Sequence, residues 1–207
     1  MSIDQSLVAF IAAAGVVTLA PGLDTALVLR ATAVEGRRSG AWAAMGVGAG
    51  CLIWGAGVAL GLTALLAASR TAFTVVRWAG AIYLLWLGAR LLLKPRSALI
   101  EEQGAAAMAA HPFRRGLLTN LLNPKVGVFY ISFLPQFVPA GVNVAAWSFM
   151  LASIHVLMGL AWFAVLIGAI GRARRMLRRP GVVRILDRLT GCVFVGFGVK
   201  LAVSSSP

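Results

Sequence analysis

The chain has 207 residues, of which 60% are hydrophobic and 12% charged, and its mean hydropathy is +0.89. A soluble domain carries about a quarter charged residues and just under half apolar ones, and one this small must cover itself with polar surface. An ordinary soluble enzyme is therefore excluded, as is disorder, which needs low hydrophobicity. The formal net charge of +13 does not imply a nucleic-acid partner, because the cations sit in short clusters between long apolar runs, as topology signals do.

A helix needs roughly 20 apolar residues to cross a hydrocarbon core about 30 Å thick, and six stretches meet that requirement. The first, about Ser6 to Leu29, is interrupted by Ala20-Pro21-Gly22 and carries Asp24 one turn later. Its first 29 residues hold no Lys or Arg, whereas a cleaved signal peptide begins with a basic segment, so this helix is expected to stay. The second, about Gly40 to Ala67, places Gly46, Gly50, Gly57 and Gly61 on one face. Such a face invites close packing within the subunit or a homodimer seam. The third, about Thr71 to Leu93, contains Arg77, expected to snorkel or pair. The stretch Pro95–Pro112 reads as a solvated cytoplasmic linker.

The fourth span, about Gly116 to Phe137, is interrupted by Asn123-Pro124-Lys125. The fifth, about Val144 to Ile170, holds His155, the sole histidine in any span, and the sixth runs from about Val182 to Val203. Apolar runs without period-2 alternation favour helices over barrel strands. The first, third and fifth connections hold three, five and seven Lys or Arg, fifteen of the nineteen. By the positive-inside rule these connections are cytoplasmic and both termini lie outside.

The expected fold is thus an all-α integral membrane protein, a single transmembrane domain over residues 1–207. Its two inverted three-helix repeats cover about 1–94 and about 115–207, joined by a cytoplasmic loop at about 95–114. Three crossings reverse the second copy, and Pro/Gly interruptions at matching places in inverted repeats point to a transporter site near the midplane. Pro21 lacks an N–H, so the carbonyl of Val17 loses its helical partner, while Gly22 adds backbone freedom. Asn123 is a good N-cap and Pro124 suits the first helical position, so a fresh half-helix starts there with its positive end facing the bundle.

An ionised group near the bilayer centre costs about 2.5–3.5 kcal/mol, so Asp24 and Lys125 need partners or water. Either they pair with each other or they contact a zwitterion, Lys125 and the half-helix end holding its carboxylate and Asp24 its ammonium. Thr18, Thr25, Asn120 and Asn123 would add neutral hydrogen bonds. Asp24 and His155 are the candidates for proton coupling, His155 because its pKa lies nearest physiological pH. Cys51 and Cys192 read as small core residues. No metal-ligand spacing, nucleotide motif or nucleophile–base arrangement is present, so neither cofactor nor catalysis is expected.

These residues resemble the LysE/RhtB family of amino-acid exporters. The matching pieces are Ala20-Pro21-Gly22-Leu23-Asp24, Gly36-Arg37-Arg38-Ser39-Gly40, Ala79 through Gly88, and Phe113 through Lys125 continuing to Phe133-Leu134-Pro135-Gln136-Phe137. The resemblance spans nearly the whole chain. It implies a secondary exporter of amino acids or close derivatives in the bacterial inner membrane, driven by proton exchange. Leu23 stands where the family commonly has a second proline. Export of a metal ion, or a non-transporting scaffold role, are the competing readings.

Overall fold

The structure is a computed structural model that describes residues 2–20, 22–68, 70–95, 111–172 and 179–203. All regular structure among the described residues is helical. Pro21, residues 96–110, and Arg174, Arg175 and Arg178 lie outside the described residues, as does the side chain of Arg77.

Helix α1, Ile3–Leu19, starts with a reciprocal cap in which Ser2 Oγ accepts from the Gln5 amide and Gln5 Oε1 accepts from the Ser2 amide. It stops at Ala20, and α2, Leu23–Glu35, continues at an angle of 52°. Gly36, at φ +94°, ends α2 in a conformation that a side chain would strain. Two long helices follow, α3 over Arg37–Ala68 and α4 over Arg70–Leu93. Helix α5, Pro112–Leu121, has Pro112 in its first turn and His111 Nδ1 accepting from the Phe113 amide.

Helix α6, Pro124–Val128, begins at the second break. It runs on through a π-turn at Phe129–Phe133 and a tight turn at Leu134–Phe137, and the axis bends by 56° from α5. Asn143 caps α7, Val144–Gly168, its Oδ1 accepting from the Ala146 amide at 2.9 Å. Helix α8 covers Pro180–Val203.

Two of these elements are long and apolar enough to cross a membrane on their own, Arg37–Gly61 and Val144–Gly168. Counting each bent pair, α1 with α2 and α5 with α6, as one broken span gives four. The third and sixth expected spans coincide with α4 and α8, each of 24 residues, about 36 Å at 1.5 Å per residue. They are long enough, but α4 contributes only a shorter apolar stretch, Trp78–Leu93, and α8 carries Arg184, Asp187, Arg188 and Lys200.

Glycines set the closest approaches. A Cβ at Gly46 would collide with the carbonyl of Phe113, and one at Gly116 with that of Ala43, so α3 and α5 run parallel with backbones touching. A Cβ at Gly50 would strike Asn120. Gly46 and Gly50 are therefore taken up within the subunit, whereas Gly57 and Gly61 face open space. Gly55 lies on Ala152 and Gly48 near Leu160, which makes α3 antiparallel to α7. Gly88 against Gly191, and Gly198 against Leu85, make α4 antiparallel to α8.

At the end away from the arginine-rich connections, aromatic rings form a plug. Phe133 packs on Phe197 with centroids 4.1 Å apart, and Phe137 on Phe10 at 5.5 Å. The Phe137 carbonyl accepts hydrogen bonds from Ser6 Oγ and from Trp147 Nε1, which ties α1 and α7 to the plug. At the arginine-rich end, Arg115 on α5 forks onto Glu35 at the close of α2, with Nη1 to Oε1 at 2.7 Å. That carboxyl lies past the apolar part of its span, and the guanidinium hydrogen bonds hold it below the usual carboxylate range.

Cys51 is buried as expected, but Cys192 is exposed on α8. Apolar surroundings in sequence do not separate core from lipid-facing positions, because both are apolar in a membrane helix.

Candidate functional site

Each break leaves backbone groups without helical partners; the second half supplies a side chain to the first break and caps its own. The Lys125 ammonium, from the second break, donates to the carbonyls of Val17 at 3.2 Å and Ala20 at 2.9 Å, the last acceptors of α1. Val17 is the carbonyl that proline at position 21 deprives of its helical N–H, and a cation at a helix C-terminus also meets the negative end of its dipole. Asn123 Oδ1 accepts from the Lys125 amide at 3.1 Å with Pro124 as the first helical residue. The half-helix start expected from Asn-Pro is thus present.

Asp24, in the first turn of α2, receives Asn120 Nδ2 of α5 on its Oδ2 at 2.8 Å. The same amide reaches Cys51 Sγ at 3.3 Å. Further along, the Tyr130 hydroxyl in the π-turn meets His155 Nδ1 on α7 at 3.0 Å. The wider winding of that turn, with Phe129, Tyr130, Ser132 and Phe133 all buried, presents Tyr130 to its partner.

A cavity of about 70 Å³ opens between the two breaks. Of the residues singled out in the sequence, Val17, Thr18, Gly22, Asp24, Thr25, Cys51, Asn123, Lys125 and His155 line it. Asn120 stands behind Asp24 as its hydrogen-bond donor. Pro21 is outside the described residues, and of Pro124 only the backbone is described. Three polar atoms of lining residues are buried without a hydrogen-bond partner among the described residues: Asp24 Oδ1, Thr18 Oγ1 and Trp162 Nε1. A carboxylate oxygen, a hydroxyl and an indole N–H thus stand buried beside a small cavity without hydrogen-bond partners among the described residues, where buried polar groups otherwise find them. The α7 side of the cavity is apolar, formed by Val156, Gly159, Leu160 and Phe163. Among the described residues no group of three His, Cys, Asp or Glu could hold a metal ion.

Sequence reasoning missed Tyr130 and Trp162, which carry no spacing signal. It also took Cys51 for packing alone, and it passed over Asp187, a fully buried acid in α8.

Comparison with known proteins bears on the whole chain. The model of the family described as LysE type translocator matches residues 15–205. The chain is 33% identical over 209 residues to the uncharacterized membrane protein YrhP of Bacillus subtilis, covering 97% of this chain and all of that protein. It is 32% identical to a leucine efflux protein of Enterobacter, with 93% of each chain covered. It is 31% identical to a threonine efflux protein of Salmonella typhi, over 91% of this chain and 93% of the relative. No solved structure matches the chain.

Proposed function

We propose a function built on family membership: the chain belongs to the LysE type translocators and is a membrane transporter that exports amino acids or close derivatives. Relatives named leucine and threonine efflux proteins support that substrate class. The observation that carries the reading is the cavity between the breaks, with its unpartnered Asp24 Oδ1, Thr18 Oγ1 and Trp162 Nε1. An α-ammonium group suits the Asp24 carboxylate and the Thr18 hydroxyl, whose buried oxygens a small rearrangement would bring to the cavity. An α-carboxylate suits the indole N–H and the Lys125 ammonium, and a modest side chain suits the apolar wall on α7.

In this reading the chain makes six crossings of the bacterial inner membrane, as two inverted repeats with both termini outside. The antiparallel pairing of α3 with α7 and of α4 with α8 agrees with that topology. The aromatic plug then lies on the outer side, so the site is sealed outward and loads from the cytoplasm. The arriving ammonium displaces a proton from Asp24 inward, and after the plug parts and the substrate leaves, Asp24 takes a proton from outside. Each cycle moves one proton in and one zwitterion out, a net transfer of one positive charge. At 100 mV that charge supplies about 2.3 kcal/mol, enough for roughly a fifty-fold gradient at 1.4 kcal/mol per decade. His155 and Tyr130 border the site as a second proton-bearing pair.

Reconstituted protein tests this. Leucine and threonine are expected to show counterflow that responds to a pH gradient, and Asp24→Asn to abolish gradient-driven export while the protein still inserts. Gradient-driven export by that variant at the normal rate would remove Asp24 from the coupling. Absence of flux for every common amino acid in the unmodified protein would remove the substrate class.

A further inference from the structure

Asp24 and His155, the two candidates for proton coupling, stand at opposite ends of one run of polar side chains. Asn120 Nδ2 donates one hydrogen to Asp24 Oδ2 at 2.8 Å and the other to Cys51 Sγ at 3.3 Å. The Cys51 thiol in turn meets the Tyr130 hydroxyl, and that hydroxyl meets His155 Nδ1 at 3.0 Å. Asn120, Cys51, Tyr130 and His155 are all buried. The polarity of the run follows from how many hydrogens each group owns. A carboxylate only accepts, so the amide presents N–H to Asp24. A thiol has one hydrogen; with Sγ accepting from Asn120, its S–H is left for the Tyr130 oxygen. A phenol also has one, so its O–H goes to Nδ1, and the neutral imidazole carries its hydrogen on Nε2.

We propose that this run is a polarised relay, in which the donor or acceptor facing Asp24 and the tautomer of His155 are set together, with Cys51 and Tyr130 as the positioning residues that carry the link. Buried groups of this kind do not reverse singly, because one turned alone leaves two donors or two acceptors face to face. Reversal at the Asp24 end therefore turns Cys51 and Tyr130 about and calls for hydrogen at Nδ1 in place of Nε2. Asn120 Oδ1 is buried with no hydrogen-bond partner among the described residues, so the amide is held in its orientation by Asp24 and Cys51 rather than by bonds on its other side. Asn123 and Lys125 also face Asp24, and Lys125 acts on His155 as well. Charge thus reaches both ends by a second route, which the test separates from the relay. The proposal rests on the export reading for its purpose. Tyr130 belongs to the π-turn that carries Phe133, and the tight turn after it carries Phe137, both part of the aromatic plug. The relay therefore brings the state of the site to the segment that holds the outer seal.

The chain has two histidines, His111 and His155, so full-length protein carrying nitrogen-15 histidine in lipid vesicles gives two sets of ring signals, which His111→Gln assigns. The unmodified protein is expected to show His155 with hydrogen on Nε2 and a bare Nδ1. The exchange variant Asp24→Asn/Asn120→Asp keeps one acid and one amide in the pair but reverses its direction, since a carboxylate at position 120 can only accept from Cys51. The ratio of Nδ1–H to Nε2–H forms of His155 should then rise by about tenfold or more. Made in a Tyr130→Phe background, which lacks the hydroxyl, the same exchange should move the ratio by no more than about twofold. An Nδ1–H form in the unmodified protein, or a ratio that the exchange leaves unmoved, overturns the relay. A change that persists without the Tyr130 hydroxyl also overturns it and assigns the effect to charge. Should the exchange variant fail to insert, Cys51→Ala decides: it cuts the run in the middle and should weaken the preference for Nε2–H by about fivefold or more, and an unchanged ratio overturns the relay. None of these readings involves transport, so their failure leaves the export reading standing, whereas a lack of amino-acid counterflow in the unmodified protein removes that reading and, with it, the purpose assigned to the relay.

Discussion

Replacing Lys125 by methionine keeps the length of the side chain and removes its charge and donors, which isolates what the ammonium does at the first break. Two hydrogen bonds are lost, to Val17 and Ala20, each worth about 1.5–3 kcal/mol because the donor is charged. Against that roughly 3–6 kcal/mol stands the cost of keeping a lysine near the bilayer centre, about 2.5–3.5 kcal/mol on insertion scales. From these two bonds alone the balance is a net destabilisation of about 1.5 kcal/mol, with bounds near −0.5 and 3.5 kcal/mol. Unfolding in detergent measures it, and counterflow in proteoliposomes reads the functional cost, expected to be a near-complete loss. Lys125→Arg keeps a cation within reach of the carbonyls and should recover stability more than transport. A stabilisation well beyond about 0.5 kcal/mol would refute the carbonyl-cap account, because it lies outside the lower bound those two bonds set. Transport at the normal rate in Lys125→Met would refute the functional half.

Three further outcomes test separate parts of the structure. Gly46→Val drives a side chain into the backbone of α5 and should cost about 1–3 kcal/mol or more in detergent unfolding, while Gly57→Val, facing open space, should stay within about 0.5 kcal/mol; equal effects would contradict the parallel α3–α5 contact. Gly159 lines the cavity and a Cβ there meets nothing within 4 Å, so Gly159→Leu should weaken leucine counterflow about tenfold or more relative to alanine, and a uniform loss would show that Gly159 does not set side-chain size. The Arg115 bonds lower the pKa of Glu35 in the folded protein, so the stability they add is fully present above the unfolded carboxylate value and is lost as pH falls through the lowered one; the pair being partly exposed, this is worth about 0.2–1 kcal/mol, and a Glu35→Gln variant should lose that pH dependence in acid unfolding scans.

How far the sequence reached depends on whether a signal was local. Proline at positions 21 and 124 acts on its own backbone neighbourhood, so both bends and the Asn123 cap could be read directly. The carbonyl of Val17 could even be named as the group left over. Its new partner could not, since Lys125 lies 108 positions away and only the packing of α6 against the end of α1 brings them together. Asn120 reads as a neutral hydrogen-bonding group for a ligand, and nothing in the chain says that its amide serves Asp24. Asp187 sits among arginines at the mouth of the last span and reads there as part of a charged end, although it is wholly buried. Cys192 fails for the opposite reason, since the lipid-facing and core-facing sides of α8 share a composition.

The cross-supply between halves has a mechanical consequence. The first half cannot satisfy the end of α1 without Lys125 from the second, and Asp24 takes its hydrogen bond from Asn120, also of the second. Any rocking of one half against the other therefore strips acceptors and a carboxylate of their partners at once, in a region where each unsatisfied group costs several kcal/mol. An empty site thus resists opening, because nothing replaces the lost bonds. In the proposed reading a bound zwitterion would change the balance: its carboxylate would engage the ammonium and its own ammonium Asp24, so the polar groups would stay satisfied while the halves move. A protonated Asp24 lowers the cost by a second route, since a neutral carboxyl needs fewer partners than a charged one. On that proposal two states would move easily, substrate-loaded and proton-loaded, and the state with neither would not, which is the condition for exchange without leak. Breaking the link between Asn120 and Asp24 should uncouple before it unfolds: Asn120→Ala, with the space at Gly50 left open, is expected to let protons leak through reconstituted vesicles in the absence of any amino acid. A variant as proton-tight as the unmodified protein would show that the cross-supply holds the fold without controlling the exchange.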